Sequence, residues 1–253
     1  YELANLPTTE LVFPIQRAVF PGYSQLAEDR DKLRQAFLEV LGLIALLTVP
    51  IGLLVGALAE PFVLTLLGRQ WIDAVPLVQA LSLFGVVRTL HGPTGSIYLA
   101  IGRPRLIAVF ALVQLVVAVG LMIVLVPKLG ALGAAWAILV GASLAMLVNY
   151  LMLFGELRLA PRALMAAVWR PLLAGAVMWP VVFGASQHWT PMVGALSAAV
   201  ELVGLGTLGA LIYVTVVATA WAVSGRPLAA ETILVGEIRR RLVRAEKAPV
   251  ETG

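Results

Sequence analysis

The chain has 253 residues, of which 60% are hydrophobic and 13% charged, and its formal net charge is +4 at pH 7. With a mean hydropathy of +0.96, this composition excludes a soluble globular domain and is typical of a polytopic membrane protein. The absence of cysteine excludes disulfides, thiolate chemistry and cysteine-ligated metals.

The first predicted helix, residues 3–23, is apolar enough to span a membrane but contains charged residues. Pro7, Pro14 and Pro21 each remove a backbone donor, which predicts a bent helix. Positions seven apart nearly superimpose on a helix, so one side is predicted to be polar. A charge in hydrocarbon costs from about 2.5 to more than 10 kcal/mol, so this side should face water, a partner or a substrate. It carries Asn5, Thr9, Glu10, Gln16 and Arg17.

Six more runs are long and apolar enough to cross a bilayer, which requires about 20 residues. In chain order they are 40–59, 74–102, 106–127, 129–155, 171–186 and 202–225. Among these six, charge occurs only in the run 74–102, which contains Arg88, and the sequence His91-Gly92-Pro93 near its middle predicts a break or kink. The connection 61–73 is predicted to lie along the outer membrane interface with Trp71 as its anchor. The prediction is therefore an all-α protein with seven transmembrane helices.

Orientation follows from the Lys and Arg residues of the connections, which are enriched on the cytoplasmic side of membrane proteins. Fourteen of the 18 fall on one predicted side, whereas Arg69 and Lys128 fall on the other and Arg17 and Arg88 lie within spans. The C-terminus is therefore predicted to be cytoplasmic and Tyr1 periplasmic. An odd number of helices would then precede Tyr1 if the intact protein starts in the cytoplasm.

The segment after Pro227 is predicted to form a short basic helix. Apolar residues recur there at helical spacing, opposite four arginines: Ile233, Leu234, Ile238 and Leu242 oppose Arg239, Arg240, Arg241 and Arg244. Such a helix would rest on anionic lipid of the inner leaflet. A solvated, partly disordered tail is the alternative, and residues 248–253 are predicted to be disordered in either case.

No catalytic constellation, metal site or cofactor motif is recognisable, so the candidate functional residues are intramembrane polar groups. Arg88 and His91 are three positions apart and share one helix face. Guanidinium groups bind multi-oxygen anions through a fork of donors, so Arg17 and Arg88 favour a substrate with phosphate or carboxylate groups. Alternatively, Glu10 and Arg17 neutralise each other, or Arg17 snorkels to the inner interface. Asn149 is assigned to packing or interfacial hydrogen bonding.

Two stretches resemble a known family. YELANLPTTELVFPIQRAVFPGYSQL and LLGRQWIDAVPLVQALSLFGVVRTLHGPTGSIYLAIGRPR resemble the polysaccharide transporters of the multidrug/oligosaccharidyl-lipid/polysaccharide exporter superfamily, in particular lipopolysaccharide and exopolysaccharide flippases. The resemblance covers roughly residues 1–155, and the last two helices and the tail fit by topology alone.

The resemblance implies a flippase of about fourteen helices in two lobes related by a pseudo-two-fold axis, with this chain as its C-terminal half. Residues 1–155 would form most of the C-terminal lobe, 156–226 an additional helix pair, and 227–253 a basic cytoplasmic tail. The chain begins at Tyr1 without a Met, and it is expected to be a fragment that does not transport without the missing N-terminal lobe.

The activity implied is flipping of undecaprenyl-diphosphate-linked oligosaccharide repeat units across the bacterial inner membrane by alternating access, coupled to an ion gradient. Arg17 and Arg88 would contact diphosphate or acidic sugars, with Gln16, Thr9, Asn5 and His91 as further substrate contacts, and Glu10 is a candidate for ion coupling. Glycan-assembly membrane proteins are possible partners; nucleic acid is not expected. The alternatives are a multidrug or cation exporter of the same superfamily, or a membrane-embedded glycan-assembly enzyme.

Overall fold

A computed structural model describes residues 22–189 and 195–224. These residues form α-helices and one 3₁₀ helix, Arg69–Ala74, and no strand. The α-helices are α1 (Arg30–Ala57), α2 (Ala59–Leu66), α3 (Val75–His91), α4 (Pro93–Ala100), α5 (Arg105–Leu129), α6 (Ala131–Glu156), α7 (Pro161–Gln187) and α8 (Ala195–Val223).

The predicted fold class, a helical polytopic membrane protein, is confirmed. Six helical stretches of the described residues are long and apolar enough to cross a membrane, and each overlaps one of the six predicted spans that follow the opening helix. The opening helix and the basic tail lie outside the described residues, so the total of seven spans stays a prediction. The hydrocarbon core of a membrane offers no water to the backbone, so a spanning segment must pair its own N–H and C=O groups, as an α-helix does.

Two helices begin earlier than their apolar runs. α1 starts at Arg30, ten residues before the predicted span, and is capped by Asp29, whose side chain accepts a 3.1 Å hydrogen bond from the Lys32 backbone N–H. α7 starts at Pro161, a residue suited to the first helical position. Arg170 is one of the fourteen Lys and Arg residues that were predicted to lie in cytoplasmic connections or the tail, but it lies inside α7 and is buried. Hydropathy marks where a helix becomes apolar, whereas caps and prolines mark where it begins.

The long helices pack as a row in the order α5, α6, α3, α1, α7 and α8. α5 and α6 form an antiparallel hairpin through Gly130, whose φ of 57° suits glycine. α1 is the central helix and packs between α3 and α7, while α8 packs against α7 and folds over α2. The order of the row therefore differs from the order of the helices in the chain. α3 lies between α1 and α6 and so connects α1 to the α5–α6 hairpin.

Three of the predicted basic connections meet at one end of the row. Arg103 at the start of α5 forms an ion pair with Glu156 at the end of α6. Arg34 of α1 donates a 3.5 Å hydrogen bond from Nη1 to the carbonyl oxygen of Arg158, between α6 and α7. These contacts place the three connections at the same end, as the charge pattern predicted.

The connection between α1 and α3 is helical. Its residues form α2 and the 3₁₀ helix, and Trp71 is 53% exposed. An exposed Trp suits the polar edge of a bilayer, so a position along the membrane interface stays the prediction for this segment.

Small residues allow α5 and α6 to approach closely. A Cβ added at Gly133 would overlap the carbonyl of Leu125, and one at Gly141 would lie 3.0 Å from the Gln114 carbonyl oxygen. The small-residue run GALGAAWAILVGAS of α6 therefore forms a close helix interface. In α8, a Cβ added at Gly209 would lie 2.5 Å from Leu54 Cδ2, whereas Gly204 has open space around it.

We expect Gly133→Ala to destabilise the hairpin although Ala is the better helix former. Gly→Ala in a helix gains about 0.5–1 kcal/mol, but overpacking costs about 1–3 kcal/mol, and here the obstacle is backbone. Gly155→Ala, on the same helix with nothing within 4 Å of the new Cβ, is the matched control. Unfolding in detergent should separate the two variants by about 2 kcal/mol. Equal stabilities would show that α5 and α6 do not approach this closely.

Candidate functional site

The site is built where α3 meets α4. The helix is interrupted at Gly92, because Pro93 has no N–H to donate. Gly92 keeps helical dihedrals (φ −52°, ψ −45°), and its own N–H bonds to the carbonyls of Arg88 and Thr89. The predicted break is thus present as a local interruption of hydrogen bonding in a chain that continues in helical conformation.

A cavity of about 340 Å³ lies beside this interruption, between α3, α5 and α6. Its polar groups are a guanidinium, an imidazole and a carboxamide, set among apolar side chains. The lining residues are Phe84, Val87, Arg88, His91, Gln114, Ile138 and Ala142. Among them, no carboxylate is present.

Arg88 and His91 line this one cavity, so their predicted placement on a shared face is observed. The Arg88 side chain is exposed and makes no hydrogen bond or ion pair with the residues that the structure describes. Within that part of the chain, its charge is available to a ligand or to a group outside the described residues.

A buried hydrogen-bond network connects His91 to α6. Asn149 of α6 is 0% exposed, and its Nδ2 lies 2.6 Å from Thr94 Oγ1 and 3.1 Å from His91 Nδ1. Tyr98 donates to the Asn149 carbonyl oxygen at 3.2 Å, and Tyr150 donates to the Leu90 carbonyl oxygen at 2.8 Å. The network thus ties α6 to both sides of the Gly92 interruption.

Five predicted site residues lie outside the described residues: Asn5, Thr9, Glu10, Gln16 and Arg17. Their predicted roles stay predictions, and the structure does not test whether Arg17 and Arg88 face one cavity.

The sequence analysis did not predict that Gln114 lines the cavity or that Asn149 forms hydrogen bonds with residues of two other helices. Gln114 is the one strongly polar side chain within the predicted run 106–127, and this isolation was the available signal. Asn149 was assigned to packing or interfacial hydrogen bonding, whereas the structure shows it buried and hydrogen-bonded to α3 and α4, and these partners could not be predicted from α6 alone. Arg170 is a buried cation whose guanidinium lies 5.9 Å from the centre of the Trp169 ring.

The chain is similar to proteins of polysaccharide biosynthesis. A family model described as "Polysaccharide biosynthesis protein" matches residues 1–76. The teichuronic acid biosynthesis protein TuaB of Bacillus subtilis (strain 168) is 24% identical over 225 residues, which cover 87% of this chain and 45% of TuaB. The succinoglycan biosynthesis transport protein ExoT of Rhizobium meliloti (strain 1021) is 31% identical over 80 residues, 32% of this chain and 16% of ExoT.

The fold is similar to that of a solved flippase structure. The lipid II flippase MurJ in an inward closed conformation matches with a TM-score of 0.58 at 18% identity, covering 86% of this chain and 44% of MurJ. The chain spans less than half the length of the curated relatives it matches. The resemblance inferred from the two sequence stretches is confirmed by these comparisons.

Proposed function

We propose that this multi-pass membrane protein belongs to the polysaccharide transporter family and is the C-terminal half of a flippase. The whole protein moves undecaprenyl-diphosphate-linked repeat units of lipopolysaccharide or exopolysaccharide across the bacterial inner membrane by alternating access, coupled to an ion gradient. The names of its relatives and the fold shared with a lipid II flippase support this function.

The observation that carries the proposal is Arg88, a cation in a membrane helix without an acidic partner among the described residues. A charge at this depth is costly, so it is retained where it faces water, a partner or a substrate. Guanidinium forms paired, charge-assisted hydrogen bonds with phosphate oxygens. A diphosphate linker supplies such oxygens, and the sugar hydroxyls and acidic groups suit Gln114 and His91.

The remaining assignments are part of the same proposal. Arg17 contacts diphosphate or acidic sugar together with Arg88, while Gln16, Thr9 and Asn5 contact the glycan and Glu10 couples transport to the ion. The lobe formed by 1–155 works against the missing N-terminal lobe, 156–226 supplies the added helix pair, and 227–253 binds anionic lipid. Tyr1 is periplasmic and the C-terminus cytoplasmic, and no chemical catalysis is involved.

A strain that lacks the gene should accumulate lipid-linked repeat units in the cytoplasmic leaflet and export less polysaccharide, and the full-length protein should reverse both effects. This result would separate the proposal from its two alternatives. Sensitivity to cationic drugs without repeat-unit accumulation would indicate a drug or cation exporter. Repeat units of altered covalent structure would indicate a glycan-assembly enzyme.

A further inference from the structure

The distances in the buried network around His91, together with the donors and acceptors that each group offers, indicate where its protons lie. Thr94 Oγ1 lies 2.7 Å from the carbonyl oxygen of His91. In this pair only the hydroxyl can donate, so the single Thr94 hydroxyl proton is used there. The group 2.6 Å away on Asn149 must therefore donate to Thr94 Oγ1, which makes it the amide nitrogen Nδ2.

The same nitrogen fixes the state of the imidazole. Asn149 Nδ2 also lies 3.1 Å from His91 Nδ1, and an amide NH₂ has two protons to donate and no acceptor. His91 Nδ1 must then accept, so it carries no proton. The reversed amide fits less well, because it would place Oδ1 against a Thr94 oxygen that has no proton left and would put two amide protons at the buried position where Oδ1 now has no partner among the described residues. A neutral imidazole with a bare Nδ1 carries its proton on Nε2.

We infer that Asn149 is a positioning residue that holds His91 as the neutral Nε2–H tautomer and presents this donor to the cavity lined by Arg88. Nε2 points away from Asn149, and it has no partner among the described residues. The Phe110 ring meets the imidazole edge-on, with 4.9 Å between ring centroids and an interplanar angle of 82°, which restrains the ring plane.

The consequence for recognition rests on the proposed function. Arg88 and His91 then offer only donors to the cavity, and this suits a ligand rich in acceptor oxygens, such as a diphosphate or a carboxylated sugar. Gln114 adds one group that can donate or accept. A second proton on His91 would sit on Nδ1 and face the Asn149 N–H groups, so this arrangement does not suit His91 as a proton carrier. The coupling proton or ion would bind elsewhere.

The tautomer can be measured directly in the chain. It contains two histidines, His91 and His188. In the full-length protein, His188→Gln together with replacement of any histidine in the rest of the sequence leaves one imidazole for ¹⁵N solid-state NMR of histidine-labelled protein in lipid bilayers. The expected spectrum at neutral pH shows a protonated Nε2 and an unprotonated Nδ1. A protonated Nδ1, either alone or together with Nε2, would overturn the inference.

Asn149→Asp tests whether Asn149 determines the tautomer of His91. A carboxylate only accepts hydrogen bonds, so the variant should move the proton to Nδ1, which the spectrum reports. Thr89→Val is the matched control, because Thr89 is a buried threonine of α3 that bonds to Thr48 Oγ1 and the Val86 carbonyl but not to Asn149. The control should keep the wild-type tautomer. An unchanged tautomer in folded Asn149→Asp would overturn the role given to Asn149.

Transport measurements then separate this inference from the proposed function. Asn149→Asp in the full-length protein should lower repeat-unit export several-fold at normal expression, whereas Thr89→Val should not. If the wild-type tautomer is as expected but Asn149→Asp exports normally, the positioning role in recognition is rejected while the flippase assignment stands. If deletion of the gene causes no repeat-unit accumulation, the flippase assignment fails, although the tautomer result holds.

Discussion

Arg88→Glu in the full-length protein should abolish export of lipid-linked repeat units, and Arg88→Ala should reduce it by about 10- to 100-fold. The smaller loss corresponds to hydrogen bonds to a charged group, worth about 1.5–3 kcal/mol, at about 1.4 kcal/mol per tenfold change. Glutamate does more, because it places a negative charge where an anion must bind. Arg88→Lys should recover part of the activity, since an ammonium keeps the charge but lacks the two-pronged geometry.

Arg105 provides the matched control for these substitutions. It is an exposed arginine at the start of α5, outside the lining of the cavity. Arg105→Ala and Arg105→Glu should leave export near the wild-type level, measured as polysaccharide at the cell surface and repeat units retained inside. Wild-type export by Arg88→Ala at equal expression would contradict the anion-site proposal.

Cysteine introduced at Gln187 should react with a membrane-impermeant thiol reagent in intact cells, whereas cysteine at Ala160 should not. Both positions are exposed, and they lie at the two ends of α7. The basic connections meet at the Ala160 end, and Lys and Arg are retained on the cytoplasmic side. The expected contrast is nearly all-or-none, because the reagent cannot cross the bilayer.

This chain contains no cysteine, so in the full-length protein only cysteines from the rest of the sequence need to be replaced. Cysteine at Asp31 should also stay unlabelled, and cysteine at Thr190, which lies outside the described residues, should label like the one at Gln187. Permeabilised cells supply the control, since all four positions should then react. Labelling from outside at Ala160 and Asp31 would reverse the topology and remove the argument for an odd number of preceding helices.

Several features of the fold could be predicted because a bilayer leaves few choices. A spanning segment must satisfy its own backbone, so each apolar run of sufficient length becomes a helix. The six described spans follow this rule. The interruption at Gly92 could also be predicted from the local sequence, because Pro93 lacks the N–H that a helical backbone hydrogen bond needs. The helix starts at Arg30 and Pro161 were predicted less well, since the charged first turns lie outside an apolar window.

The candidate site was only half predictable. Arg88 and His91 share a face of one helix, and this follows from their spacing alone. Gln114 and Asn149 reach the same place from α5 and α6, and nothing in either helix specifies that it will pack against α3. Helix contacts in membranes depend on small residues and on shape more than on hydrophobic pattern, so the pairing was not readable from hydropathy.

By itself, the sequence determined that the chain is a helical membrane protein, where its spans lie, and that Arg88 and His91 need a polar environment within one of them. These properties depend on the cost of placing unpaired backbone groups and charges in hydrocarbon, which each segment must meet alone. The tertiary structure decided the order of the row, the cavity between α3, α5 and α6, and the hydrogen-bond contact of His91 with Asn149. Those depend on which side chains meet across helices, as at Gly133 and Asn149, and a hydrogen bond between helices exists only once both are in place.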